Sequence, residues 1–120
     1  MDEIIKNKPE GFDVISGDDG ITFPLITLGA VGVISVLGNA FPAEFSKMNR
    51  LALEGNYAEA LTIHHQFTEI INLLFADGNP AGAKAMLNIM GMCENKLRLP
   101  LVPAREVTCD KLRAAWEALK

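Results

Sequence analysis

Phe12-Asp13-Val14-Ile15-Ser16 and Gly32-Val33-Ile34-Ser35-Val36-Leu37 are the two stretches whose reading decides the fold. The first is short, rich in β-formers and closed by Gly17, so it reads as a strand. The second is a nearly continuous apolar run enriched in Val and Ile and ended by Gly38-Asn39. That is the pattern of a strand buried on both faces. Between them, Asp18 or Asp19 with Gly20 offers an N-cap to a helix over roughly Ile21 to Leu28, stopped by Gly29. Strand, helix, strand with short turns is a βαβ unit, whose strands should be parallel and whose crossover should be right-handed.

Outward from this unit the period changes to that of helices. Met1–Asn7 reads as the last turns of a helix, ending before Pro9 and Gly11. Pro42 precedes a helix over Ala43–Glu54 with apolar Phe45, Met48, Leu51 and Ala52, halted at Gly55. Asn56 and Glu59 have the spacing of a capping box, with Asn in place of the usual Ser or Thr. The helix they open runs to about Ala76. It sets Ala60, Ile63, Phe67, Ile70, Ile71 and Leu74 on one face and Gln66, Glu69 and Asn72 on the other. Asn79-Pro80 repeats the start signal, with Pro at the first helical position, for a helix to about Met90 closed by Gly91. Arg98-Leu99-Pro100-Leu101-Val102-Pro103 reads as an extended linker. Thr108 or Asp110 then starts a final helix through Ala118, with Leu112, Ala115, Trp116 and Leu119 on its buried side.

The class is therefore α/β, and it carries a consequence. Two parallel strands cannot form a stable sheet alone, because such strands need neighbours on both edges and helices on both faces. The chain reads as the closing quarter of a larger α/β barrel.

Composition narrows the classes. The chain has 120 residues, 49% of them hydrophobic, with 11 Lys+Arg against 15 Asp+Glu for a net charge of −4. Such a chain is globular in composition and of a length for one modest core. Without a basic cluster it lacks the footprint of a nucleic-acid binder, so no nucleic-acid partner is expected. Cys93 and Cys109 read as free thiols in a reducing cytoplasm. The uncharged run from Gly20 to Ala43 matches the roughly 20 apolar residues of a membrane span. It is interrupted, however, by Pro24, Gly29, Gly32, Gly38, Asn39 and Pro42, and it lacks a Lys/Arg flank on either side. Parallel strands and the helices packed on them produce the same run, so no membrane partner is expected.

Few side chains carry a chemical signal. His65 and Glu69 stand one turn apart, but zinc needs three or four converging ligands and neighbouring helical histidines diverge, so no metal is expected. Gly29-Ala30-Val31-Gly32 precedes its strand, the wrong side for a dinucleotide-binding turn. Ser16-Gly17-Asp18-Asp19-Gly20 says more. It lies at the carboxyl end of a parallel strand, where α/β barrels place their active sites. Gly17 would let a ligand approach backbone, and Asp18 and Asp19 could accept hydrogen bonds, although either could equally cap the following helix. Ser35-Val36-Leu37-Gly38-Asn39 holds the equivalent place on the second strand, with a simple strand end as the equal alternative.

These runs, together with Leu28-Gly29-Ala30-Val31-Gly32, Pro42, Leu53-Glu54-Gly55-Asn56-Tyr57-Ala58-Glu59-Ala60, Asn79-Pro80 and Leu97-Arg98-Leu99-Pro100-Leu101-Val102-Pro103, carry a resemblance. Over essentially its whole length the chain resembles the carboxyl-terminal part of the dihydrodipicolinate synthase family, within the N-acetylneuraminate lyase superfamily of class I aldolases. The resemblance implies that the two strands are the seventh and eighth of a (β/α)8 TIM barrel and the last three helices an appended domain, with residues 1–55 as a partial barrel portion and 56–120 as a C-terminal helical domain. It implies a cytoplasmic, oligomeric lyase of lysine biosynthesis that condenses pyruvate with aspartate semialdehyde, without a cofactor. Pyruvate is held as a Schiff base on a strand lysine and a tyrosine shuttles protons. Gly17 and Ile34 match positions lining the pyruvate pocket, and Asp18 and Asp19 match positions near the entrance that face the second substrate. Two positions depart from the family pattern: Gly38 replaces a more usual alanine, and Ala81-Gly82-Ala83 replaces the Ile-Pro-Val common after Asn79-Pro80.

By the same resemblance the lysine, the tyrosine and the paired threonines belong to strands that precede Phe12, and the chain starts in the helix after the lysine strand. The chain is thus expected to be a fragment of such a lyase, inactive alone, with no catalytic residue of its own. Two alternatives stand beside this. One is a non-catalytic module that self-associates or pairs with a complementary barrel portion. The other is a small membrane-anchored protein.

Overall fold

The computed structural model describes residues 1–120. Six helices and two short strands follow in the order α1 (Asp2–Asn7), β1 (Ile15–Ser16), α2 (Thr22–Thr27), β2 (Gly32–Val33), α3 (Pro42–Leu53), α4 (Tyr57–Phe75), α5 (Ala81–Ile89) and α6 (Glu106–Glu117). A 3-10 turn follows each strand, over Asp19–Ile21 and Leu37–Asn39. β1 and β2 pair in parallel, Ile15 beside Gly32 and Ser16 beside Val33, as the βαβ reading requires.

Local signals place most boundaries. Pro42 stands at the start of α3 and Pro24 within the first turn of α2, where an amide N–H would have no helical partner. Gly29 and Gly55 take left-handed backbone just past the ends of α2 and α3, with φ of 113° and 83°. Four expectations need correction. Asn56 does not cap α4 through its side chain; its amide donates instead to Glu59 Oε1 at 2.8 Å. Pro80 precedes the first residue of α5, and α6 starts at Glu106, ahead of Thr108. The second strand does not run through Leu37, since Val36 already has right-handed helical backbone (φ −86°, ψ −48°) and opens the 3-10 turn.

The uncharged run Gly20–Ala43 is divided among a turn, α2, β2 and a second turn. No helix is long and apolar enough to cross a membrane.

One apolar core spans both halves of the chain. Ile26, Leu37, Phe41, Phe45 and Met48 from the strand-containing half pack with Phe67, Ile70, Leu74, Met86 and Leu112 from the helices beyond. The Phe41 and Phe67 rings lie 4.9 Å apart. A smaller cluster of Ile5, Val14, Leu25 and Ala30 fastens α1 beneath the sheet. The result is a slab of 45 × 34 × 20 Å with a radius of gyration of 15.5 Å, where a compact chain of this length would have about 13.6 Å. Its accessible surface is 7243 Å², roughly 900 Å² more than the ~6,300 Å² of a folded monomer of this mass.

Asp77 anchors the linker's return. Its Oδ1 accepts from Arg105 Nε at 2.6 Å and its Oδ2 from the Arg105 backbone N–H at 2.9 Å, tying the end of α4 to the start of α6. The Thr108 hydroxyl, followed by the Arg105 backbone N–H, holds the Asp77 carboxyl below the ordinary carboxylate range. A depressed acid stabilises the fold above its unfolded value of about 3.9 and loses that contribution as pH falls through its folded value. Asp77→Asn is therefore expected to lower the urea midpoint at neutral pH, with the gap from the parent closing below about pH 4. A gap that stays constant down to pH 3 would refute the assignment.

Candidate functional site

The carboxyl ends of β1 and β2 lie side by side, and their register decides which residues share a face. Continuing the pairing by one residue sets Gly17 beside Ile34, and the Ile34 N–H donates to the Ser16 carbonyl at 2.9 Å. Side chains alternate along a strand, so Ile15, Gly17, Gly32 and Ile34 belong to one face and Ser16 and Val33 to the other. Ser16 is buried and Val33 packs on the core, so that second face is the one covered by helices. The first face is bare: Ile34 is 75% exposed and Ile15 49%. The expectation of a second strand buried on both faces is thus corrected. A Cβ at Gly17 would meet nothing within 4 Å, and its φ lies outside the left-handed region. Nothing inside this chain requires a glycine there, and the backbone is left open to an approaching group.

The turn beyond Gly17 is knit by hydroxyls. Ser16 Oγ donates to the Asp18 carbonyl at 2.9 Å and accepts from the Asp18 N–H at 3.2 Å. The fully buried Thr22 hydroxyl lies 2.7 Å from the same carbonyl and 3.0 Å from Ser16 Oγ. Asp18 Oδ1 accepts from the Gly20 N–H at 2.8 Å, capping the 3-10 turn, while the residue stays exposed beside Ile71, Asn72 and Phe75 of the helix α4. Capping and an outward carboxylate coexist in this one residue.

Asp19 takes a different place, and its reading as a substrate-facing carboxylate is corrected. It is 1% exposed, and its Oδ2 accepts from the N–H groups of Val36 at 3.0 Å and Leu37 at 2.8 Å. Its other oxygen, Oδ1, is enclosed without a donor. The carboxylate bridges the two loops at the strand ends and starts the second 3-10 turn. Ser35 Oγ completes that turn by accepting from the Gly38 N–H at 2.7 Å.

Elsewhere the titratable groups do not converge. His64 stacks 5.6 Å from Phe23 and 5.6 Å from His65. Partial burial, with the neighbouring His65, pushes the His64 pKa down, so it is the neutral ring that packs here. No group of three His, Cys, Asp or Glu side chains is placed to hold a metal ion. Burial pushes the Cys109 thiol pKa up. The seven lysines (Lys6, Lys8, Lys47, Lys84, Lys96, Lys111 and Lys120) all lie on helices or connections, none at a strand's carboxyl end and none buried.

The sequence pattern of the dihydrodipicolinate synthetase family matches residues 1–119. The chain belongs to the dihydrodipicolinate synthetase family. It is 75% identical over 120 residues to the 4-hydroxy-tetrahydrodipicolinate synthase of Phocaeicola vulgatus, covering 100% of this chain and 40% of that protein. The Parabacteroides distasonis synthase is likewise 75% identical, over 119 residues and 40% of its length. Among solved structures, the dihydrodipicolinate synthase from Aquifex aeolicus superposes with a TM-score of 0.92 at 40% identity, over 98% of this chain and 40% of that one. The chloride-inhibited enzyme from Acinetobacter baumannii, complexed with pyruvate, does so with a TM-score of 0.93 at 32% identity, with the same coverage. The chain thus spans about 40% of the length of the relatives it matches.

For this family member the sequence reading missed the buried hydroxyl pair Ser16 and Thr22 and the bridging role of Asp19. The Ser-x-Asp spacing carried a local signal for the first, since Ser commonly bonds backbone two residues on. The second carried none.

Proposed function

We propose that this chain supplies the seventh and eighth βα units of a dihydrodipicolinate synthase-type TIM barrel, with 1–55 as the barrel portion and 56–120 as the helical domain. Its role is to form part of the substrate pocket in the condensation of pyruvate with aspartate semialdehyde through a lysine Schiff base. Gly17 and Ile34 line the pyruvate side of that pocket, and the Asp18 carboxylate faces the amine-bearing second substrate from the rim. Asp19 positions these groups from behind by tying the two loops together. The observation that carries the reading is the register that brings Gly17 beside Ile34 on the uncovered face. The family's use of pyruvate, held in the Acinetobacter baumannii relative, supports it. The cytoplasm and an oligomeric complete enzyme go with the same reading.

The chain alone is not expected to perform the chemistry. A Schiff-base lysine must lose its proton, which requires desolvation or a cationic neighbour in an enclosed mouth. None of the seven lysines is buried, and Tyr57, the one tyrosine, starts α4 instead of facing the strand ends. Incubation with labelled pyruvate and borohydride is expected to leave the chain unlabelled, and a coupled assay with aspartate semialdehyde to give no turnover. Label on any lysine of this chain would overturn the proposal.

A further inference from the structure

We propose that His64 is a proton-operated joint between α4 and α2: the neutral ring holds α2 in place, and the protonated ring releases it and loosens the turn beyond β1. The His64 ring lies against Phe23 of α2 with centroids 5.6 Å apart. Tyr57, two turns earlier on α4, meets the same Phe23 ring edge-on at 6.3 Å. Phe23 is therefore held by two side chains of α4, and the contact is internal to this chain. His64 Nδ1 is enclosed by the chain's own atoms and has no hydrogen-bond partner. A neutral imidazole tolerates this, because its proton can sit on the other nitrogen, whereas the imidazolium donates from both. Protonation thus sets an N–H without an acceptor, and a charge, into an aromatic contact.

No neighbouring group offsets that cost. α2 (Thr22–Thr27) has no titratable side chain. α3 and its C-cap, packed along α4, carry Glu44, Lys47, Arg50 and Glu54, and the turn before α2 carries Asp19; neither histidine forms an ion pair with any of these acids. On α4 itself the charge that bears on the ring is that of His65, 5.6 Å away, and it repels. Burial, then this like charge, holds the His64 pKa below its ordinary value of about 6.5. The joint therefore contributes stability that is complete above about pH 6.5 and lost as the pH falls through the folded value.

The joint reaches the turn beyond β1 in one step. Phe23 follows Thr22, whose buried hydroxyl lies 2.7 Å from the Asp18 carbonyl and 3.0 Å from Ser16 Oγ. A shift of Phe23 pulls on the bonds that knit the turn carrying Gly17 and Asp18. α2 is also poorly able to hold itself, with six residues and no side-chain cap, where an isolated helix is marginal below ~12–15 residues. Leu25 and Ile26 stay anchored in the two apolar clusters, so the release is local.

NMR of the chain from about pH 7.5 to about pH 5 tests the joint. The His64 ring is expected to titrate with a midpoint below the roughly 6.5 of a free histidine, and the amides of Asp18, Thr22 and Phe23 to shift with the same midpoint. Hydrogen exchange of the α2 amides, corrected for its intrinsic pH dependence, should quicken at least about tenfold below that midpoint. His64→Phe keeps an aromatic ring against Phe23 and takes up no proton, so both the coupled shift and the faster exchange should vanish. His65→Gln removes the like charge and should raise the His64 midpoint while leaving the coupling in place. Amides that titrate or open alike in His64→Phe, α2 exchange that stays constant while the parent ring titrates, or a ring midpoint at or above that of a free histidine would each overturn the joint. Should His64→Phe fail to fold, the parent and His65→Gln decide it: the exchange transition must follow the ring midpoint when that midpoint moves.

Discussion

Asp19→Ala is expected to destabilise the chain by about 2–4 kcal/mol, because it strands two backbone N–H groups that have no other acceptor. The groups belong to Val36 and Leu37, and both bond the single oxygen Oδ2. Leu37 is fully buried, so water cannot replace the lost acceptor there. With a urea slope of about 1.5 kcal/mol/M for a chain of this size, the midpoint should fall by roughly 1–3 M. Asp19→Asn keeps an oxygen for the two donors and should lose less. Asp18→Ala removes an exposed cap on one N–H, and its cost should stay near 1 kcal/mol, about that of an ordinary N-cap. If Asp18→Ala proves the more damaging of the two, the division of labour between these neighbours is wrong.

That pair also marks where the sequence stops being legible. Adjacent carboxylates at a strand end are equivalent on paper: both can cap and both can face a ligand. What separates them is a partner 17 and 18 residues further along, on the other loop, and no local pattern reports it. The same contact explains why the second strand ended early. Its apolar run continues to Leu37, but the carboxylate draws Val36 and Leu37 into a turn. Helix ends behaved otherwise. Gly29, Gly55 and Gly91 each stop a helix by adopting a left-handed backbone, a property of the residue itself and therefore readable in isolation. The long apolar face of α4 was equally plain, since a 3.6-residue period survives any tertiary context that buries it.

The paired strand ends were legible in the sequence, but the exposure of their side chains was not. Strand parity and the turn after Ser16 set Gly17 and Ile34 one residue beyond the pairing of Ser16 with Val33. Periodicity, however, reports where a side chain would be buried in a completed sheet. Ile34 carries the signature of an interior residue and yet stands 75% exposed, because no element of the structure packs on that face of the strand pair. The surplus of accessible surface and the flattened shape are the same fact measured globally.

Gly82→Ala is the second large expected effect, and it turns on a departure the sequence displayed without explaining. Ala81-Gly82-Ala83 opens α5, and α5 meets α4 there at unusually close range. A Cβ at Gly82 would stand 2.7 Å from the Leu74 Cα and closer still to the Leu74 carbonyl. The obstruction is backbone, so no rotamer change relieves it, and α4 and α5 must separate. Leu74 and Met86 are fully buried in the shared core, and that separation loosens both. Alanine would gain about 1 kcal/mol in helix propensity over glycine, but overpacking of this kind costs about 1–3 kcal/mol or more. With α5 displaced as a body, the upper end applies, and the net loss should be about 2 kcal/mol or greater. Gly17→Ala is the matched control: it meets no atom and no strained φ, and should be neutral or stabilising by up to about 1 kcal/mol. Urea midpoints that rank the two substitutions in the opposite order would refute the close approach of α4 and α5.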